Sequence, residues 1–419
     1  MSQTLNTEKH IGYKETQLGW IPKDWEVYKL NEILSDTRLG GNYKNSGAFN
    51  GLPLIKMGNI DRGQINIDNK YFISDSEILS SEHKLRRGDI LFNTRNTLQL
   101  VGKVAIWNNE YDESYFNSNL LRLNFKKQYI SSKRFINYIL NSYHSIKQLR
   151  GFATGTTSVA AIYDRDVKNL KVSLPSLPEQ KSIANCLSTW DTAITKLTAL
   201  TKAKQQHKKA LAQQLLTGKK RLKGFSKEWK EKRIEDVAQE HSQKNVENKD
   251  IEVLSCTKYD GLVPSLQYFG RQVFGDDLSK YKVVPQGYFA YATNHIEEGS
   301  IGYQDFNKLG LVSPMYTVFK TDETIDDIFL FKVLKSHKLI HEYNRRMEGS
   351  IDRRGGLRWR NFRGIKLNIP SIAEQTAIAQ ILTTADKEIT LLQQQLIQLK
   401  LQKKGVMQQL LTGKKRLKV

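Results

Sequence analysis

Residues 213–223 read QQLLTGKKRLK, and residues 408–418 read the same eleven letters. The offset of 195 holds without a gap back to Glu179-Gln180 against Glu374-Gln375. Of the 45 positions paired between 179–223 and 374–418, 23 are identical. Chance does not produce that density, so the chain is an internal tandem repeat.

The repeated stretch reads as a long helix. Ser176 to Glu179 and Ser371 to Glu374 both fit a capping box, in which the serine accepts from the backbone at the glutamate and the glutamate side chain bonds back. Pro178 falls in the first turn, where its missing amide has no helical partner to lose. Gly218 and Gly413 mark the stops, each followed by basic residues that suit the C-terminal end of the helix dipole. Between cap and stop a seam alternates in steps of four and three, the pattern of a coiled coil. It runs Ile183, Leu187, Trp190, Ile194, Leu197, Thr201, Lys204, Lys208, Leu211, Leu215 in the first copy. In the second it runs Ile378, Leu382, Ala385, Ile389, Leu392, Leu396, Leu399, Lys403, Val406, Leu410. About 40 residues at about 1.5 Å rise make rods of about 60 Å. Two such helices on one chain most simply pair antiparallel.

The chain has 419 residues and a net charge of +22, of which the two repeated helices carry +13. Such a basic surface implies a polyanion, nucleic acid before membrane. Cys186 and Cys256 form no CxxC pair and no disulfide framework, and Cys186 reads as a packed thiol within the helix. No signal peptide and no apolar run of about 18 residues stands out, so a soluble, cytoplasmic protein is expected.

Outside the helices the letters differ but the plan repeats. A polar arm (1–17) precedes a globule (18–175) with strands expected at 52–57, 89–92, 103–107 and 120–125 and a helix at 131–149. The second globule (224–370) offers strands at 252–257, 287–292 and 315–320 and a helix at 328–346. Helix one then occupies 176–223 and helix two 371–419. Lys23-Asp-Trp25-Glu and Lys227-Glu-Trp229-Lys open the two globules. Each globule closes on a glycine-marked loop, then a short strand into Pro175 or Pro370.

No catalytic motif emerges. Lys219 and Lys414 follow glycines but lack the rest of a phosphate loop, and His341-Glu342 lacks the second histidine of a zinc helix. No metal site, no cofactor and no catalytic residue are expected. What remains is a reading surface. Arg95 and Asn96 follow a strand, and Thr156 and Thr157 occupy a glycine loop. In the second globule Asn294 and His295, then Arg353, Arg354, Arg358 and Arg360, stand at corresponding places. Arg pairs bidentate with guanine and Asn with adenine, while hydroxyls and clustered cations suit phosphates. Two other classes stay open at this point, a nucleic-acid-processing enzyme in its own right and a protein-only coiled-coil adaptor. Metal-dependent cleavage by the chain would mark the first, and indifference to duplex DNA the second.

Two unlike globules, each followed by a near-identical helix that opens on Glu-Gln and closes on Leu-Leu-Thr-Gly-Lys, resemble the specificity (S) subunit of type I restriction–modification systems. Gly88-Asp-Ile-Leu-Phe-Asn-Thr-Arg-Asn-Thr97, followed by Val101-Gly102-Lys103, is similar to that family's first recognition domain. The resemblance implies an α+β architecture, two mixed α/β target-recognition domains separated by two long helices in an antiparallel coiled coil with pseudo-twofold symmetry. It implies that each domain reads one half of a bipartite, asymmetric site in double-stranded DNA. Two methyltransferase (M) subunits would dock on the helices, motor-nuclease (R) subunits would be recruited through them, and S-adenosylmethionine and ATP would belong to those partners.

Overall fold

The computed structural model describes residues 11–46, 51–156, 159–348 and 356–418. They fall into two compact units, Met1–Thr198 with Gln394–Val419, and Ala199–Gln393. Each unit therefore takes one half of each long helix. The expected position Thr157, and with it Arg353 and Arg354, lies outside the described residues.

The first unit is built on a four-stranded antiparallel sheet in the order Leu34–Leu39, Leu120–Phe125, Ile90–Asn93, Val104–Ile106. Ile90–Asn93 is buried along its whole length, which is why Ile-Leu-Phe runs without polar alternation there. One face of the sheet packs on two helices, Lys133–Leu140 and Tyr143–Phe152, through Phe135, Ile136, Ile139 and Leu149. The sequence reads as one helix here, and the structure breaks it. Ser142 ends the first and caps the second, its hydroxyl accepting from the Ser145 amide at 3.4 Å. A short-range serine–backbone bond thus overrides helical periodicity. Strand Glu26–Lys29 pairs with Lys171–Leu174, so the segment entering the long helix is tied to the start of the globule.

The second unit repeats this topology with other residues. Its sheet runs Ala238–His241, Tyr316–Thr321, Phe289–Ala292, Ile301–Tyr303. Helices Asp327–Leu334 and His337–Glu348 replace the single helix expected, again divided at a serine, Ser336, whose hydroxyl accepts from the Leu339 amide. Lys230–Arg233 pairs with Lys366–Ile369 in place of the earlier entry pair. Phe289 and Phe319 stack at the centre of this core, 4.9 Å between centroids.

The long helices span Leu177–Leu215 and Ile372–Leu411. All twenty positions of the expected seam are buried or half-buried, while most of their neighbours on both helices are exposed. Within the first unit Ile183, Leu187, Leu410 and Leu411 share one core. Within the second, Leu215, Ile378 and Leu382 do. Ile194, Leu197, Leu211, Leu392 and Leu399 are half-buried and Ile389 is buried. In each unit the two helix segments run antiparallel. Lys403 meets Asp191 at 2.5 Å in the first, and Lys204 meets Glu388 at 2.7 Å in the second, where Lys208 also pairs with Asp386. The lysines that interrupt the apolar seam are thus the residues that find acids on the opposite helix.

Candidate nucleic-acid interface and helix clasps

The two helix signatures recognise each other. Glu179 is nearly inaccessible, and its carboxylate accepts from Arg416 at 2.5 and 2.7 Å and from the Trp25 indole at 3.2 Å. Arg416 also donates to Asp24 at 2.8 Å, which holds the Asp24 carboxyl below its usual range. In the second unit Arg221 donates twice to buried Glu374, at 2.8 and 2.7 Å, and stacks 5.9 Å from the centroid of Trp229. These contacts correct two expectations. The serine half of the first capping box exists, with the Glu179 amide 3.5 Å from the Ser176 hydroxyl, but the glutamate side chains turn away from their own caps. And among the basic residues after each stop glycine, the arginine meets the first turn of the other helix rather than its own dipole. A bidentate arginine is suited to a buried carboxylate, which costs heavily if left alone.

The glutamines beside them do a second, equally paired job. Gln180 accepts from the Ser131 amide at 3.0 Å and donates to the carbonyls of Tyr129 and Pro175. Gln375 accepts from the Asp326 amide at 2.8 Å and donates to Thr324 and Pro370. Each Glu-Gln pair therefore fixes one helix start both to the partner helix and to the globule's first core helix. The stops are also alike in backbone, Gly218 at φ +71° and Gly413 at φ +69°.

The reading-surface candidates lie where the central strand of each sheet ends. In the first unit Thr94 is buried, donates to the Asn119 carbonyl at 2.8 Å and accepts on its own carbonyl from Ile162 at 2.9 Å. The chain then leaves the core, with Arg95 exposed and Asn96 half-buried, its side chain accepting from the Thr97 amide. Arg95-Asn96 pairs with Ala160-Ala161, which pairs with Thr154-Gly155. This small sheet brings Arg95, Asn96 and exposed Thr156 to one edge.

Thr293 takes the place of Thr94 in the second unit. It donates to the Met315 carbonyl and accepts from the Leu357 amide, both at 2.8 Å. Gly356 runs so close that a β-carbon would sit 2.7 Å from the Thr293 carbonyl, which only glycine permits. Asn294 and His295 are exposed beside it, and Arg358 and Arg360 are exposed at the short helix Trp359–Phe362. His295, Glu297 and Glu298 bring ligand atoms within 4.8 Å of one another, with His295 and Glu298 exposed. Two first-unit residues at the corresponding positions escaped the sequence reading, Tyr163 and Arg165, whose guanidinium lies 5.8 Å from the tyrosine centroid. The signal was present: the offset of 195 continues upstream and sets Tyr163 against Arg358 and Arg165 against Arg360.

Both halves of the chain match the type I restriction modification DNA specificity domain, over residues 22–206 and 226–401. The chain belongs to this family, the specificity subunits of type I restriction–modification systems. It is 27% identical to a putative type I restriction enzyme specificity subunit, MjaX, of Methanocaldococcus jannaschii, over 99% of each chain. It is 25% identical to the EcoKI specificity subunit of Escherichia coli over 37% of this chain and 34% of that one. The fold resembles the crystal structure of the S subunit from M. genitalium, with a TM-score of 0.58 and 15% identity over 92% of this chain and 96% of that one.

Proposed function

We propose that the chain reads double-stranded DNA as a bipartite, asymmetric site, one half per unit, without catalysing a reaction itself. It would carry two methyltransferase subunits and, through them, motor-nuclease subunits, in the cytoplasm. The contrast inside the repeat is the main support. The buried brackets Thr94 and Thr293 hold the same backbone arrangement, yet what they present outward is unlike, Arg95-Asn96 in one unit and Asn294-His295 in the other. The Glu-Gln helix starts and Leu-Leu-Thr-Gly-Lys-Lys-Arg stops are by contrast the same letter for letter. Varied polar edges suit different base sequences, whereas identical helical surfaces offered twice suit two copies of one partner. Arg165, Arg358 and Arg360 supply the exposed charge that backbone phosphates require.

The test exchanges residues 18–175 for those of another family member and sequences the methylated positions in host DNA. One half-site should change and the other persist. A change in both halves, or in neither, would refute one unit reading one half.

A further inference from the structure

Two arginines converge on the loop that follows Arg95-Asn96, and neither has a use in the fold. Arg62 sits at the tip of a turn that is held rigidly: the Asp61 amide donates to Gln64, Gly63 donates to Val104 at 2.7 Å, and Asn137 donates to the Gly63 carbonyl at 2.8 Å. The half-buried Arg62 guanidinium reaches the Gly102 carbonyl only at 3.5 Å, a weak contact. The acid beside it, Asp61, is already engaged by Lys103 at 3.2 Å. Arg150 comes from the last turn of the helix Tyr143–Phe152, whose Leu149 packs against the same Gly102. Among the described residues neither arginine has a carboxylate at ion-pair distance. Burial, and then the charge of Arg150, weakens the hold of Arg62 on its proton. Like charges brought together at a half-desolvated site cost stability, and an anion between them removes that cost.

The matching place in the second unit is cationic too. There the turn Thr257–Gly261 packs beside Gly299, at the end of the loop that carries Asn294-His295. Lys335 reaches the Thr257 carbonyl at 3.5 Å, and exposed Lys258 lies 5.5 Å from the Tyr259 centroid.

We propose that Arg62 and Arg150 form a phosphate site, gripping one phosphodiester of the duplex whose bases face Arg95 and Asn96. The site rests on the DNA-reading function. It fixes the height of the base-reading edge over the groove and carries no sequence preference of its own.

The experiment measures binding of a mixed-sequence duplex to the full-length chain across a salt series. Arg62→Gln with Arg150→Gln should make the slope of log K against log salt shallower by about one, at unchanged sequence preference. Arg62→Lys with Arg150→Lys should keep the wild-type slope, and thermal unfolding checks that both variants fold. Duplex binding with an unchanged slope in the glutamine variant overturns the site and leaves the DNA reading intact. A wild-type chain that ignores duplex overturns the DNA reading, and the site with it. If inorganic phosphate at matched ionic strength stabilises the wild type but not the glutamine variant while the slope stays fixed, the pair holds free phosphate and the proposal also fails.

Discussion

Removing the arginine from a clasp should cost far more than its surface position suggests. Arg416 is 41% exposed, but the carboxylate it serves, Glu179, is 2% exposed. In Arg416→Ala that carboxylate retains only the Trp25 indole. Breaking a buried pair from one side costs roughly 3–5 kcal/mol, and water reaching in through the arginine's vacated volume reduces this to about 2–3 kcal/mol. The penalty is a stranded charge, not a lost attraction, so it should be partly repaired by neutralising the partner. Arg416→Ala combined with Glu179→Gln should therefore be more stable than Arg416→Ala alone. Denaturant melts and amide exchange over residues 177–187 and 405–415 read this locally, since the chain has two units and one global midpoint could blur them. A loss below about 0.5 kcal/mol, or a double variant no better than the single, would refute the stranded-charge argument.

Four further outcomes follow from other contacts. Gly413→Ala should destabilise more than Gly218→Ala: both adopt left-handed backbone, costing about 1–2 kcal/mol for alanine, but only at Gly413 does the new carbon meet Pro22, at 2.3 Å; paired melts decide. Lys403→Leu with Lys208→Leu should change stability by less than about 1 kcal/mol while loosening helix register, detected as slower-closing exchange along 191–208. Asp386 feels desolvation, which raises its pKa, but Lys208 and Lys332 outweigh it and leave the folded value lowered. A depressed carboxylate stabilises above its unfolded pKa, near 3.9, and loses that contribution as pH falls through the folded value, so Asp386→Asn should flatten the acid limb of a stability profile below about pH 4. Arg95→Ala should relax discrimination in one half-site by about 1–3 kcal/mol, read as additional methylated sequences in that half alone.

The helices were legible because their information is local and periodic. Cap, seam and stop lie in order along the chain, and the repeat supplies a second reading of each. The central strands were legible as apolar runs such as Ile90-Leu-Phe92. Illegible were the partnerships that cross long separations. Nothing near Glu179 announces that Arg416, far along the chain, will take its carboxylate, and a capping box explained the same letters with a shorter reach. The broken helices failed for a related reason: Ser142 and Ser336 read as tolerable interior residues, whereas each hydroxyl competes for the backbone. For the candidate interface, Arg95 and Asn96 stood out by following a strand. Tyr163 and Arg165 belong to the same edge only through the pairing of Ala160-Ala161 with Arg95-Asn96, a non-local register that periodicity does not carry.

The composition of the first unit bears on how the protein is made. A nascent chain normally closes its leading domain while the rest is still being synthesised. Here the leading unit waits for Gln394–Val419, with the 195 residues of Ala199–Gln393 intervening. At roughly 5–20 residues per second that delay is about 10–40 s. Through it Ile183 and Leu187 lack Leu410 and Leu411, and Glu179 lacks Arg416, while the later-made unit is contiguous and can close as it emerges. The order of maturation is thus the reverse of the order of translation. A ribosome that stops in the last helix releases a chain with a finished second half and an open first half, presenting an apolar strip and a bare carboxylate to the chaperones and proteases that meet it.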